Sequence, residues 1–327
     1  MTLDYYGFVA VALILQMLMG ANSGATLLGS IVATNVIRPV WAVLLLFASM
    51  VVAPVVFGSK VVTTLGTQIL PLSSIRMEML YGTVVATVLW VWIARCIKSP
   101  VSISYTFVGA LVGSGIATGL WKTLNKQSIL KVFGGMFLAI TIGFVAGFLA
   151  LKIVDLLTMR ATSHANKWFK ILQVFSSISL VIGYGANDGT KVLSLLYMAS
   201  AVLGRPSALI TLLNTTLLGV VFILGNLFFG AGIAQTSGFR LMKSSPKTVS
   251  LAQTVTSVVT LWSTWLGIPV SSTETLSMAL IGAGVGERPG SVRWNVVIQL
   301  LMTWLVTIPA SIVLSWAITA LILFLFH

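Results

Sequence analysis

GANSGAT at residues 20–26 and GANDGTK at residues 185–191 are one phrase written twice. A second pair follows each copy: SPVSISYTFVGALVGSG at 99–115 and IPVSSTETLSMALIGAG at 268–284. The pairs are 165 and 169 residues apart, so order and spacing are both kept. Pro100 aligns with Pro269, Ser102 with Ser271, Gly113 with Gly282 and Gly115 with Gly284. Chance similarity between Gly-rich apolar segments would account for one pair but not for two in register. The chain reads as two related halves, 1–158 and 159–327, divided in the polar connection VDLLTMRATSHANKW at 154–168.

Composition says where these halves sit. Hydrophobic residues make up 57% of 327 positions and charged residues 8%, against about 25% charged in a soluble domain. Such a surface belongs in a lipid bilayer. Ten apolar stretches are visible, near 5–33, 40–58, 79–97, 101–120, 130–153, 169–199, 206–234, 249–267, 269–286 and 294–326. A span needs about 20 apolar residues, so the longer stretches are expected to tilt or break. The gap at 59–78, with Lys60, Gln68, Pro71, Arg76 and Glu78, is expected to be a loop. The opening MTLDYYGF has no basic n-region or small-residue cleavage site and reads as the start of the first span.

The formal net charge is +13, but no basic stripe with interleaved aromatics marks a nucleic-acid footprint. Lys and Arg gather instead in the gaps between spans, roughly two to one in favour of one side, which the positive-inside rule makes cytoplasmic. Both termini are then expected outside the cell membrane. Cys96 is the only cysteine, so there is no internal disulfide and no cysteine–histidine metal pattern.

Five spans per half is an odd number, so the second half enters the membrane inverted. The expected fold is an all-α polytopic bundle of two inverted repeats with broken or re-entrant helices. That architecture places substrate at the repeat interface near mid-membrane. Pro-Val-Ser heads a helix in each half, where proline suits the first turn and free backbone N–H groups attract anions. Ser102, Ser104, Ser271, Ser272 and Thr273 add hydroxyl donors without charge. Plain N-capping would explain one such motif; a matched pair in lipid points to an oxyanion cage. Asn22 and Asn187 fall where glycines weaken a helix, and an interrupted helix survives in a membrane only against protein or a cavity.

Asp188 and Glu274 are the two acids of six that fall within the repeated motifs, and intramembrane acids are functional candidates. Lys191 lies three residues from Asp188, on one helical face. The two can form an ion pair, or Lys191 can face the anion and Asp188 a coupling cation. A catalytic constellation is not evident, so an enzyme is not expected. Rival expectations are a passive anion channel of this fold and an accessory membrane subunit.

At these residues the chain resembles the inorganic phosphate transporter (PiT) family, including its sulfate permease members. Ser23, Gly24, Ala25 and Thr26 occupy the register of the family's Asp-x-Ala-Asn stretch, followed by Ser30, Thr34 and Pro39. Asn187, Asp188 and Lys191, with Gln173 and Ser177 upstream, match a variant written Asn-Asp-x-x-Lys. The Pro-x-Ser helices and the closing Arg293-Trp294, Trp304, Thr307 and Pro309-Ala310 also fit. The resemblance implies uptake of inorganic phosphate by symport with H⁺ or Na⁺, often by a homodimer and with no other cofactor; the missing first-half carboxylate at Ser23 puts H⁺ ahead of Na⁺. It implies substrate near Ser102, Ser104, Ser271, Ser272, Thr273, Asn22, Asn187 and Lys191, and cation coupling at Asp188, Glu274, Ser23 and Thr26, with Na⁺ at Asp188 as the alternative. Ser23 and Thr26 stand for the family's Asp and Asn, and Tyr105 and Glu274 for its two His. Lacking the first Asp is also a trait of some sulfate permeases, so phosphate and sulfate both stay open here.

Overall fold

The computed structural model describes residues 2–96, 101–159, 165–204, 211–230, 245–288, 290 and 292–326. Pro100, Lys98, Arg160, His164, Arg205, Arg240, Lys243 and His327 lie outside them. Among the described residues there is no strand. The first half runs α1 (Thr2–Met19), a π-helical turn (Gly20–Gly24), α2 (Ala25–Val32), α3 (Pro39–Phe57), α4 (Ser59–Thr63), a second π turn (Thr64–Gln68), α5 (Met77–Cys96), α6 (Ile103–Ala117) and α7 (Lys126–Thr158). The second runs α8 (Ala165–Asn187), α9 (Thr190–Val202), α10 (Leu212–Phe229), α11 (Pro246–Trp265), α12 (Ser272–Glu287) and α13 (Trp294–Phe326).

Among the described residues, seven helical segments are long and apolar enough to cross a membrane, and the protein is a multi-pass membrane protein. α6 and α12 are not among them. Their 15 and 16 residues reach about 23 Å at 1.5 Å per residue, short of the roughly 30 Å hydrocarbon core. They sit inside the protein, with nearly every residue of α6 buried. α7 and α13, each of 33 residues, run about 50 Å and must tilt. Only 28% and 17% of their most apolar windows are buried, so these two helices face lipid.

Packing follows the small residues. Lipid tails give helices no hydrophobic reason to associate, so close backbone approach and buried polar contacts hold them together. α6 packs on α13, and α12 packs on α7. At those crossings a Cβ on Gly113 would come within 2.1 Å of the Ile312 carbonyl oxygen, and one on Gly282 within 2.0 Å of that of Phe144. Gly20 likewise abuts the Phe222 carbonyl of α10, as Gly185 abuts the Ser49 carbonyl of α3. Gln253 of α11 accepts from Ser176 and Ser177 of α8 at 2.8 and 3.0 Å, a buried polar seam.

One expectation is corrected. Residues 59–78 do not form a simple loop: Ser59–Thr63 is helical and Thr64–Gln68 a π turn. Val61, Val62 and Leu65 are buried and the segment packs on α9, so tertiary contact fixes a conformation that its polar composition hides. The connection near 154–168 is also shorter than its polarity suggests, since α7 continues to Thr158 and α8 starts at Ala165.

Candidate functional site

The Gly-Ala-Asn phrases interrupt their helices, but in two ways. Gly20–Gly24 widens into the π turn, where Thr26 Oγ1 donates to the Asn22 carbonyl at 3.2 Å. In the second copy the helix stops at Asn187 and resumes at Thr190, with the Asp188 and Gly189 amides both donating to the Tyr184 carbonyl, at 2.7 and 3.2 Å. Glycine, asparagine and aspartate are poor helix-interior residues, and each break is buried against protein, as lipid requires.

Each break presents an asparagine to the segment that leads into its own half's short helix. Asn22 Nδ2 donates to the Val101 carbonyl at 3.1 Å. Asn187 makes three such contacts: Nδ2 donates to Thr264 Oγ1 at 2.9 Å and to the Ile268 carbonyl at 3.0 Å, and Oδ1 accepts from the Val270 amide at 2.8 Å. The helix starts are thereby brought together. Ser102 caps α6, accepting from the Tyr105 amide at 3.2 Å. Ser104 reaches across to the other short helix and donates to the Val270 carbonyl at 3.1 Å.

Asp188 and Lys191 form an ion pair, one turn apart. Both are buried, 4% and 1% exposed. Lys191 Nζ also donates to the Val270 carbonyl at 3.2 Å. The other Asp188 oxygen accepts the Ser272 hydroxyl and, at 3.2 Å, the Ser272 amide. The N-terminus of α12 therefore already holds an anion, the protein's own Asp188.

Glu274 stands apart from this network. It is buried, 3% exposed. The Ser102 and Ser271 hydroxyls lie beside its carboxylate, with Asp188 and Lys191 near enough to act on it electrostatically. Yet among the described residues neither of its oxygens has a hydrogen-bond partner. It borders a small cavity of about 20 Å³ lined by Asn22, Thr26, Val101, Thr273, Glu274, Ser277, Leu300 and Trp304. That volume admits about one water molecule; a tetrahedral oxyanion needs more room than this lining leaves.

Of the residues singled out from sequence, Asn22, Thr26, Thr273 and Glu274 line this cavity. Ser102 and Ser271 flank Glu274. Asn187, Asp188, Lys191, Ser272 and Ser104 form the adjoining hydrogen-bonded network. Ser23 is buried next to Tyr184. Reading the sequence did not single out Ser277, Leu300, Val101 or Tyr184. Ser277 was within reach, being three residues from Glu274 on a helix; Leu300 comes from a distant element with no polar signature.

The chain is similar over 313 residues, at 31% identity, to a protein of Rhizobium meliloti (strain 1021) named "Probable low-affinity inorganic phosphate transporter", covering 94% of this chain and 93% of the other. A protein of the same name from Bacillus subtilis (strain 168) is 26% identical with the same coverage. A solved structure titled "The sodium-dependent phosphate transporter" matches 100% of both chains with a TM-score of 0.86 at 19% identity, which shows the shared fold. A family model described as "Phosphate transporter family" matches residues 19–315, and the chain belongs to that family.

Proposed function

We propose that this protein carries inorganic phosphate into the cell, across the cell membrane, together with protons. The reading treats residues 1–158 and 159–327 as inverted repeats that rock about a shared site, with both termini outside. The observation that carries it is Glu274: a carboxyl group buried without a partner, flanked by the hydroxyls at the two helix starts and bordering a polar-lined cavity.

The chemistry is as follows. An unpaired buried carboxylate is costly, so Glu274 meets its ligand sharing one proton. Either the protonated carboxyl donates to a phosphate oxygen, or the carboxylate accepts from a phosphate P–OH; its donor and acceptor capacities allow both. In each case the anion crosses with a proton. Sulfate at neutral pH has no O–H to offer, so only the protonated carboxyl can bind it, whereas phosphate suits either form of Glu274. Ser102, Ser271 and Thr273 hydroxyls and the Asn22 amide supply neutral donors. Asp188, which the sequence suggested as the coupling group, is committed to Lys191 and Ser272, so the coupling proton is assigned to Glu274.

The test is uptake of labelled phosphate into proteoliposomes under an imposed proton or sodium gradient, with sulfate as competitor. Proton-driven accumulation is expected. Glu274→Gln, which keeps the shape but holds no exchangeable charge, is expected to lose accumulation while keeping phosphate counterflow, and to admit sulfate more readily. Accumulation of sulfate in place of phosphate by the unmodified protein refutes the substrate. Undiminished proton-driven accumulation by Glu274→Gln refutes the coupling residue.

A further inference from the structure

We infer that the Lys191 ammonium is a built-in cation that fills an oxygen-lined cation site at Asp188, so that this protein transports without a sodium ion. The inference rests on the symport reading above and names how one of its ion requirements is met.

Three observations carry it. The first is the ligand set. Lys191 Nζ touches an Asp188 carboxylate oxygen and the Val270 carbonyl oxygen, with the Ser272 hydroxyl on the other Asp188 oxygen. Carboxylate and carbonyl oxygens are what a hard metal cation takes, and the ammonium takes one of each instead. The second is burial: at 1% exposed, and absent from the cavity lining, Lys191 is turned from the space an anion would enter. The third is internal to the chain. With the 165-residue offset of the repeated phrase, Ser23 answers Asp188 and Thr26 answers Lys191. Acid and base are both present in one half and both absent from the other. An acid serving a free cation has no reason to arrive with a lysine; an acid whose cation is tethered does.

Val270 makes the tether useful. Its carbonyl also accepts from Ser104 of α6, so one oxygen ties the start of α12 both to Lys191 of α9 and to the start of α6. A bound metal cation would do this only while occupied; Lys191 does it at all times.

Removing the side chain should uncover the site. In proteoliposomes with a fixed proton gradient, phosphate uptake by the unmodified protein is expected to be equal in sodium and choline media. Lys191→Ala is expected to lose about tenfold or more in choline, because one partner of a buried pair is gone, and to recover in sodium. In detergent, sodium chloride against choline chloride should raise the thermal unfolding midpoint of Lys191→Ala and leave that of the unmodified protein unchanged. If Lys191→Ala folds only in sodium buffer, that rescue is the same result. Sodium acting equally on both proteins overturns the inference, as does a variant that sodium neither reactivates, stabilises nor rescues. Should neither protein move phosphate while sodium still stabilises Lys191→Ala alone, the substrate reading falls and the tethered cation stands.

Discussion

Residues 20–26 and 185–191 begin with the same Gly-Ala-Asn and part company at the fourth residue. The first copy continues Ser23 to Thr26 and passes through a π turn, with uncharged hydroxyls where the second copy has charges. The second continues Asp188 to Lys191 and breaks the helix outright around a buried ion pair. Both are electrically neutral as units. A bilayer interior penalises net charge, and each half meets that demand in its own way, one by having no charge and the other by having two that cancel. The charged copy reaches farther, since Asp188 grips α12 through Ser272 and Lys191 through Val270. One half is therefore pinned where the other is merely bonded.

The largest effect should come from unbalancing the charged copy. Asp188→Ala leaves Lys191 buried and alone, which is expected to cost about 3–5 kcal/mol, the range for breaking one side of a buried pair. Asp188→Ser combined with Lys191→Thr copies the first half's solution and should regain most of that loss. Asp188→Ser, Lys191→Thr and the double variant form a thermodynamic cycle read by thermal unfolding in detergent. If the double variant is as unstable as Asp188→Ala, the two copies are not alternative answers to one problem.

Next comes a place where the halves should behave alike. Gly113→Ala and Gly282→Ala each drive a methyl group into a carbonyl oxygen, 2.1 Å away at Ile312 and 2.0 Å away at Phe144. The obstacle is backbone, so α6 must move from α13, or α12 from α7. Overpacking of this kind costs about 1–3 kcal/mol. The two obstacles are alike in kind and distance, so the two losses are expected to agree within about 1 kcal/mol, well inside that range. A gap of more than that would mean that the two crossings, though alike in geometry, are supported by unequal surroundings.

Much of this was legible in the residues. The stretches at 40–58 and 294–326 became α3 and α13 almost to the residue, because long apolar runs in a membrane have little choice but helix. The repeated phrases located both helix breaks and the starts of α6 and α12, but the apolar stretches at 101–120 and 269–286 read as full spans where the structure shows helices of 15 and 16 residues. Lys191 and Asp188 at a three-residue spacing already allowed an ion pair. What the sequence withheld depends on distant packing. Residues 59–68 read as loop because Ser, Thr, Lys and Gln dominate there; Val61, Val62 and Leu65 form helix by docking on α9. Glu274 stood out as a rare acid, but its setting depends on Ser102 and Ser271 arriving from both halves beside its carboxylate. Trp304 entered the sequence reading only through family likeness, and its place on the cavity wall follows from how α13 crosses the site.

The smallest expected effect separates the two asparagines, which sequence alone treats as equals. Asn187 bonds Thr264, Ile268 and Val270, while the Asn22 amide donates to Val101 and borders the cavity. Asn187→Ala strands a buried amide and a carbonyl, so about 2 kcal/mol of stability should be lost. Asn22→Ala gives up a single partly buried bond, about 1 kcal/mol. Transport should rank them the other way. Asn22 is placed to donate to an anion in the cavity, so its loss should raise the KM for phosphate severalfold with the unfolding midpoint barely moved. The amide of Asn187 is already used, so the fraction of Asn187→Ala protein that folds should keep a near-normal KM. Measuring unfolding midpoints and uptake KM on the same two preparations decides the matter. If the variant that loses more stability also loses more affinity, the asparagines are working as one symmetric pair, and the division into a pinned half and a substrate-facing half is wrong.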